Sequence, residues 1–420
     1  MGIGLFVSGI TTYAFFKVGQ LALGKDDFKP IVAMWFMTFA LVPGVFLPVE
    51  QEIGRALAHR RALGQGGRPV VQRMLPLAGL LGATVALPMA LAGPFLTREL
   101  FEGYGLVAVA LVLAFCAYGP MHLVRGIASG SGRFVAYGLI LAVDGTARTL
   151  GCIALWLADV RTPGAYALVV AASPLVATLL VVGRGEARTV EGPPASWGEL
   201  TPNLGWLLAG TVMSAALINA GPLGVDVLAA PGEAAKVTAF GNGLLLARVP
   251  LYLFQAVQAA LLPRLARLAA QGNLDEFRRG LGTLMRIVGI VAILGTLGAF
   301  IAGPAVLDLV YEGGLDRRTL TLLALACALY MAALALAQAV IALNGHAHVA
   351  LGWTTAFATF FVVTWLSADD IFLRVELGLV AASVAALAVF AASYRARIAA
   401  GAIPDAESLI DGIADAPLEG

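Results

Sequence analysis

Charge is scarce in this chain: Asp, Glu, Lys and Arg make up 13% of its 420 residues, about half the share of an ordinary soluble domain. So little charge cannot clothe a water-soluble fold of this length. Cysteine is scarcer still. Cys116, Cys152 and Cys327 each fall inside an apolar run with no metal or redox spacing, so they read as small packing residues. No glycine-rich phosphate loop follows a strand, no His/Cys metal motif is present, and no polar stretch is long enough for a cytosolic catalytic domain. These absences exclude a soluble enzyme and predict neither cofactor nor metal. A net charge of +1 offers nothing to a nucleic-acid partner.

What is present is hydrophobic. Apolar residues make up 60% of the chain and gather in runs such as 106–121 and 284–306, the second broken only by Arg286. A helical span needs roughly 20 such residues. Twelve stretches qualify: 5–23, 31–49, 74–97, 105–125, 134–157, 164–182, 204–225, 237–262, 284–310, 319–343, 348–366 and 377–394. The opening Met1-Gly2-Ile3-Gly4 carries no basic n-region, so the first apolar stretch reads as a span and not as a cleavable signal. Arg far outnumbers Lys, a usage that suits a GC-rich bacterial genome.

Short-loop basic residues set orientation. Arg55, Arg60, Arg61, Arg68 and Arg73 lie between spans two and three, and Arg264, Arg267, Arg278, Arg279 and Arg286 between spans eight and nine. Both connections are expected in the cytoplasm as short surface helices, with both termini on that side of a bacterial inner membrane. Asn273 with Glu276 three residues later reads as a helix cap and its box partner.

Two strings recur half a chain apart. Ala92-Gly93-Pro94 and Phe101-Glu102-Gly103 are matched by Ala302-Gly303-Pro304 and Tyr311-Glu312-Gly313. Ser129-Gly130-Ser131-Gly132 likewise parallels Asn344-Gly345-His346. The predicted fold is an all-α polytopic membrane protein of two six-helix halves, related by a pseudo-two-fold axis along the membrane normal. The halves are 1–183 and 204–394, joined by a cytoplasmic linker at 184–203 and followed by an acidic tail at 395–420. Such chains place their working site between the halves.

Ionisable groups inside spans cost roughly 2.5–3.5 kcal/mol to insert, so each needs a reason. Arg248 has no acid within a helical turn, and Tyr252 and Gln255 share its helix face. Tyr13, Lys17 and Gln20 repeat that spacing in span one. Two polar stripes, one per half, are expected to face each other across a central cavity; the plain reading has Arg248 paired with a distant acid and Lys17 reaching outward. Arg125, with His122, lies where a phosphate would enter or where an interfacial anchor would sit. Asp144 and Arg148 are four apart and can pair as a structural unit or as a coupling relay.

Leu261-Leu262-Pro263-Arg264-Leu265-Ala266-Arg267-Leu268-Ala269-Ala270 with Asp275-Glu276-Phe277-Arg278-Arg279, and Val49-Glu50-Gln51-Glu52-Ile53-Gly54-Arg55, resemble the multidrug/oligosaccharidyl-lipid/polysaccharide exporter superfamily. The polysaccharide-biosynthesis branch is the nearer one. The resemblance implies a MATE-like fold and a non-enzymatic transporter: a flippase for a polyprenyl-pyrophosphate-linked sugar or oligosaccharide, working by alternating access. Its partners would be the bilayer, the lipid-linked glycan, and a glycan polymerase or glycosyltransferases. The alternatives are a cation-coupled multidrug antiporter of the same fold and a non-transporting scaffold for glycan synthesis.

Overall fold

The computed structural model describes residues 2–197, 204–230, 232–251, 254, 268 and 273–399. Among them are thirteen helices and no strand. In chain order they are α1 (Gly2–Asp27), α2 (Lys29–Ala62), α3 (Arg68–Leu91), α4 (Gly93–Glu99), α5 (Gly105–Gly130), α6 (Phe134–Leu157), α7 (Pro163–Gly183), α8 (Leu204–Leu228), α9 (Ala234–Ala247), α10 (Leu274–Tyr311), α11 (Arg317–Ala342), α12 (His346–Leu366) and α13 (Ile371–Ala399). Eleven are long and apolar enough to cross a membrane. Helices are what such a sequence must form in hydrocarbon, because only they satisfy every backbone group within one segment. The expected eighth span is described only in part: α9 stops at Ala247 and the chain re-enters helix at Val249-Pro250. Pro250 explains the break, since its ring collides with the carbonyl four residues back.

Helices α1–α7 pack mainly on one another, through α1 on α6, α2 on α5, and α7 on both α5 and α6. The pairings recur in α8–α13: α8 on α12, and α13 on both α11 and α12. Between the two bundles, α2 lies along α8, and both α1 and α2 touch α9.

The repeated strings also recur in backbone form. Glu102 (φ 50°) and Gly103 (φ 87°) turn left-handed, as do Glu312 (φ 60°) and Gly313 (φ 74°). Gly132 (φ 73°) and Asn344 (φ 61°) occupy the second position beyond α5 and α11, and both turn left-handed. The Gly-Pro strings diverge: Gly93-Pro94 begins the separate helix α4, whereas Gly303-Pro304 lies inside uninterrupted α10.

The described parts of the two basic connections continue long helices, while 263–267 and 269–272 lie outside the described residues. Residues 50–62 continue α2, and Glu50, Glu52 and Arg60 are buried along it. Residues 274–286 are the first turns of α10, and Asn273 caps them: its Oδ1 accepts from the Glu276 N–H at 3.3 Å, and its amide donates to the Glu276 carboxylate at 3.1 Å. The stretch 184–197 is strapped to the first bundle. Arg60 donates to the Pro193 and Pro194 carbonyls (2.7 and 3.3 Å), and Arg133 to those of Glu186 and Arg188. The guanidinium of Arg73 stacks on Trp197 at 4.9 Å. Helix α13 runs to Ala399, past the expected start of the acidic tail, and residues 400–420 lie outside the described residues.

Candidate functional site

Arg248 caps α9 where the two bundles meet. Its guanidinium donates to Asn219 Oδ1 at 3.1 Å and to the Ile218 carbonyl of α8, and stacks over Phe36 of α2 at 5.3 Å. Asn219 in turn donates to the Phe39 carbonyl of α2 at 2.9 Å. Arg248 is 6% exposed, and among the described residues no carboxylate pairs with it. A buried guanidinium neutralised by no acid is costly, and its Nε has no partner. Tyr252 and Gln255 lie outside the described residues.

The stripe on α1 does face the second bundle. The Tyr13 hydroxyl donates to the Leu245 carbonyl at 2.8 Å. Gln20 and Asn242 exchange amide hydrogen bonds at 2.8 and 2.9 Å. Lys17 lies 3.5 Å from Glu312. Asn242 was not legible in the sequence: a lone Asn in an apolar helix gains meaning only when its partner across the interface is known. Beside the Tyr13 contact, a cavity of about 230 Å³ is lined by Tyr13, Leu246, Val249, Leu307, Val310 and Tyr311. Its walls are apolar and it lies between α1 and the second bundle.

Two further polar clusters sit inside the first bundle. In one, Asp144 and Arg148 pair at 3.3 Å within α6. Asp144 also accepts from Ser173 at 2.7 Å and from Tyr118 at 3.4 Å, and the Arg148 guanidinium stacks on Trp35 at 4.7 Å. In the other, Glu50 meets His122 Nδ1 at 2.6 Å and accepts from the Tyr137 hydroxyl at 2.8 Å. Arg125 lies 3.2 Å from Glu50 and donates to Tyr137 at 2.5 Å. Arg125 is therefore held inside the bundle by an acid. Glycines make this cluster possible: a β-carbon at Gly126 would lie 2.8 Å from the Glu50 carbonyl oxygen, and one at Gly130 2.6 Å from that of Gly54. The Gly126-x-x-x-Gly130 spacing was a readable sign of close helix approach, and it points to Glu50 on the facing helix.

Glu376 of α13 is a further buried acid that the sequence did not mark out. Its side chain is fully buried, and neither carboxylate oxygen has a hydrogen-bond partner. Arg318 lies 3.7 Å away, turned chiefly to Asp370 at 3.0 Å. Among the described residues no group of three metal-ligating side chains forms.

No family model and no curated protein matches this sequence. Solved structures do match its shape. An inward-facing multidrug resistance MATE family transporter of the MOP superfamily aligns with a TM-score of 0.73 over 96% of this chain and 95% of that one, at 14% identity. A MATE protein in complex with MaD5 gives 0.72 over 96% and 94%, at 16% identity. The Vibrio cholerae MATE transporter VcmN in its bent form gives 0.63 over 94% and 95%, at 14% identity.

The chain has the MATE fold.

At this identity the likeness speaks for the fold alone. Within the MATE fold, Arg248 and the α1 stripe fall on the seam between the bundles, while Asp144, Arg148 and Arg125 fall within the first bundle.

Proposed function

We propose that this chain is an exporter of the bacterial inner membrane that works by alternating access, carrying a polyprenyl-pyrophosphate-linked sugar or oligosaccharide outward. The basic connections and both termini would face the cytoplasm. The observation that carries this reading is Arg248: a buried cation with no acid beside it among the described residues, on the seam between the bundles. An anionic headgroup entering the seam would supply the missing charge. A planar guanidinium offers a pyrophosphate two parallel donors, and Asn219 and the Ile218 carbonyl hold it in place until then. The apolar cavity beside Tyr13 and Tyr311 suits a lipid tail that stays at the bundle boundary while the head crosses.

The test is accumulation of lipid-linked sugar on the inner leaflet at matched protein abundance. Arg248→Ala is expected to abolish export, and Arg248→Lys to restore it in part, because an ammonium keeps the charge and loses the fork. Full export by the Ala variant at normal abundance removes Arg248 from the mechanism.

One observation favours a second reading, a cation-coupled multidrug antiporter. Glu376 is a buried carboxylate with neither oxygen hydrogen-bonded and only the distant Arg318, at 3.7 Å, to balance it, the kind of group that a coupling ion would neutralise. Efflux of cationic dyes that is lost in Glu376→Gln, with lipid-linked sugar unaffected by Arg248→Ala, would decide for it.

A further inference from the structure

Of the four histidines, His59 and His348 are exposed and His346 is half-buried, whereas His122 lies inside the first bundle. Its Nδ1 is 2.6 Å from Glu50 Oε2. Glu50 already accepts from Tyr137 and pairs with Arg125, so its carboxylate is ionised and the imidazole must be the donor at Nδ1. The Nε2 lone pair is then the basic site of the imidazole. The charge count shows what a proton does there. Glu50 and Arg125 cancel, and the neighbouring Asp144 and Arg148 cancel. A neutral His122 leaves the interior balanced, while a protonated one leaves a single uncompensated positive charge where water is excluded.

The groups around it are few. From α2 come Glu50 and the ring of Phe46, stacked at 6.2 Å. On α5 itself are Arg125 and Tyr118, and from α6 come Tyr137 and Asp144. Helices α3, α4 and α7 also pack on α5, and among the described residues they add no ion pair to His122.

We infer that His122, oriented by Glu50, is a proton-binding site whose occupancy is tied to hydration of the basic end of the first bundle. When that end opens, water reaches the imidazole, Nε2 takes up a proton, and the Nδ1–H···Glu50 bond is kept. Resealing excludes water and expels the proton. Acid therefore favours the open form at that end. Glu50 is a positioning residue that fixes the tautomer, and Tyr137 and Arg125 hold Glu50. The inference adds a pH sensitivity to the exporter reading and rests on its alternating access, but not on its substrate.

The experiment uses the full chain in nanodiscs with Cys116, Cys152 and Cys327 replaced by alanine. Histidine-labelled protein is titrated by NMR, His122 being assigned by its loss in His122→Gln. In parallel, spin labels at Ala58 and Arg279, both exposed, report the distance between the bundles at the basic end from pH 5 to pH 9. The expected result is one titration step at His122 within that range, with the distance lengthening through the same midpoint as pH falls. His122→Gln should show a distance that does not change with pH. A His122 signal that keeps one protonation state throughout overturns the inference, as does an undiminished distance change in His122→Gln. Should that variant not fold, the wild-type titration decides alone. Loss of the substrate reading in its own assay, with His122 still titrating, leaves the proton site standing.

Discussion

Lys29, the first residue of α2, places its ammonium 2.8 Å from the carboxylate of Asp226 near the end of α8, so a buried ion pair bridges the two bundles. Glu102 of the repeated turn lies 3.2 Å from the same ammonium. Nearby, Lys25 donates to the Glu312 carbonyl of the matching turn at 3.1 Å, and Asp26 accepts from the Ala235 N–H at 3.0 Å. These contacts close the seam at the end away from the basic connections. Any opening there must break them.

Asp226→Asn should therefore loosen that closure. Removing one partner of a buried pair costs roughly 3–5 kcal/mol when the other charge is stranded; Glu102 remains beside Lys29, so the low end of that range is expected. A disulfide between cysteines at Asp26 and Ala235 reads the closure. It should form readily in the parent and much less in Asp226→Asn. The double change Lys29→Met with Asp226→Leu should recover cross-linking, because two apolar groups leave no stranded charge. Equal cross-linking in all three would show that the pair carries no closing energy.

The orientation prediction is independent of the seam. Cysteines at Ala62, the last residue of α2, and at Gln271, outside the described residues, should resist a membrane-impermeant thiol reagent in intact cells and react once cells are opened. Fast labelling of either in intact cells would place the basic face outside.

A third prediction concerns the close crossing of α2 and α5. Gly126→Ala puts a methyl group against the Glu50 carbonyl, and overpacking of this kind costs about 1–3 kcal/mol. Thermal unfolding in detergent should shift downward. The nearby Ser131→Ala, outside the crossing, should leave the transition in place. A neutral Gly126→Ala would mean that the two helices are not held at this distance.

Much of the architecture is legible in the sequence. The lengths of the apolar runs predict the spans, because a helix satisfies its own backbone and needs no distant partner. The Glu-Gly turns, the Asn273 cap and the Asp144–Arg148 pair are also local, each set within a few residues of chain. The polar stripe of Tyr13, Lys17 and Gln20 was legible as a helix face, though not by its partners.

Charge balance belonged to the tertiary structure. Arg125 reads in the sequence as a free cation near a membrane face, and it becomes half of an ion pair once α2 and α5 cross closely enough for Glu50 to reach it. Lys29 and Asp226 lie on different bundles, and nothing in the local sequence around either points to the other. Glu50 looked like the start of a surface helix because the run of charges after Val49 resembles one, yet α2 continues and turns Glu50 inward. The sequence by itself determined where the apolar spans of this chain fall, since hydrophobic burial and backbone bonding act along each helix separately. Only the packing of one helix on another decided which buried charges are cancelled and that Arg248 meets no acid among the described residues, because electrostatic pairing acts across space and takes no account of distance along the chain.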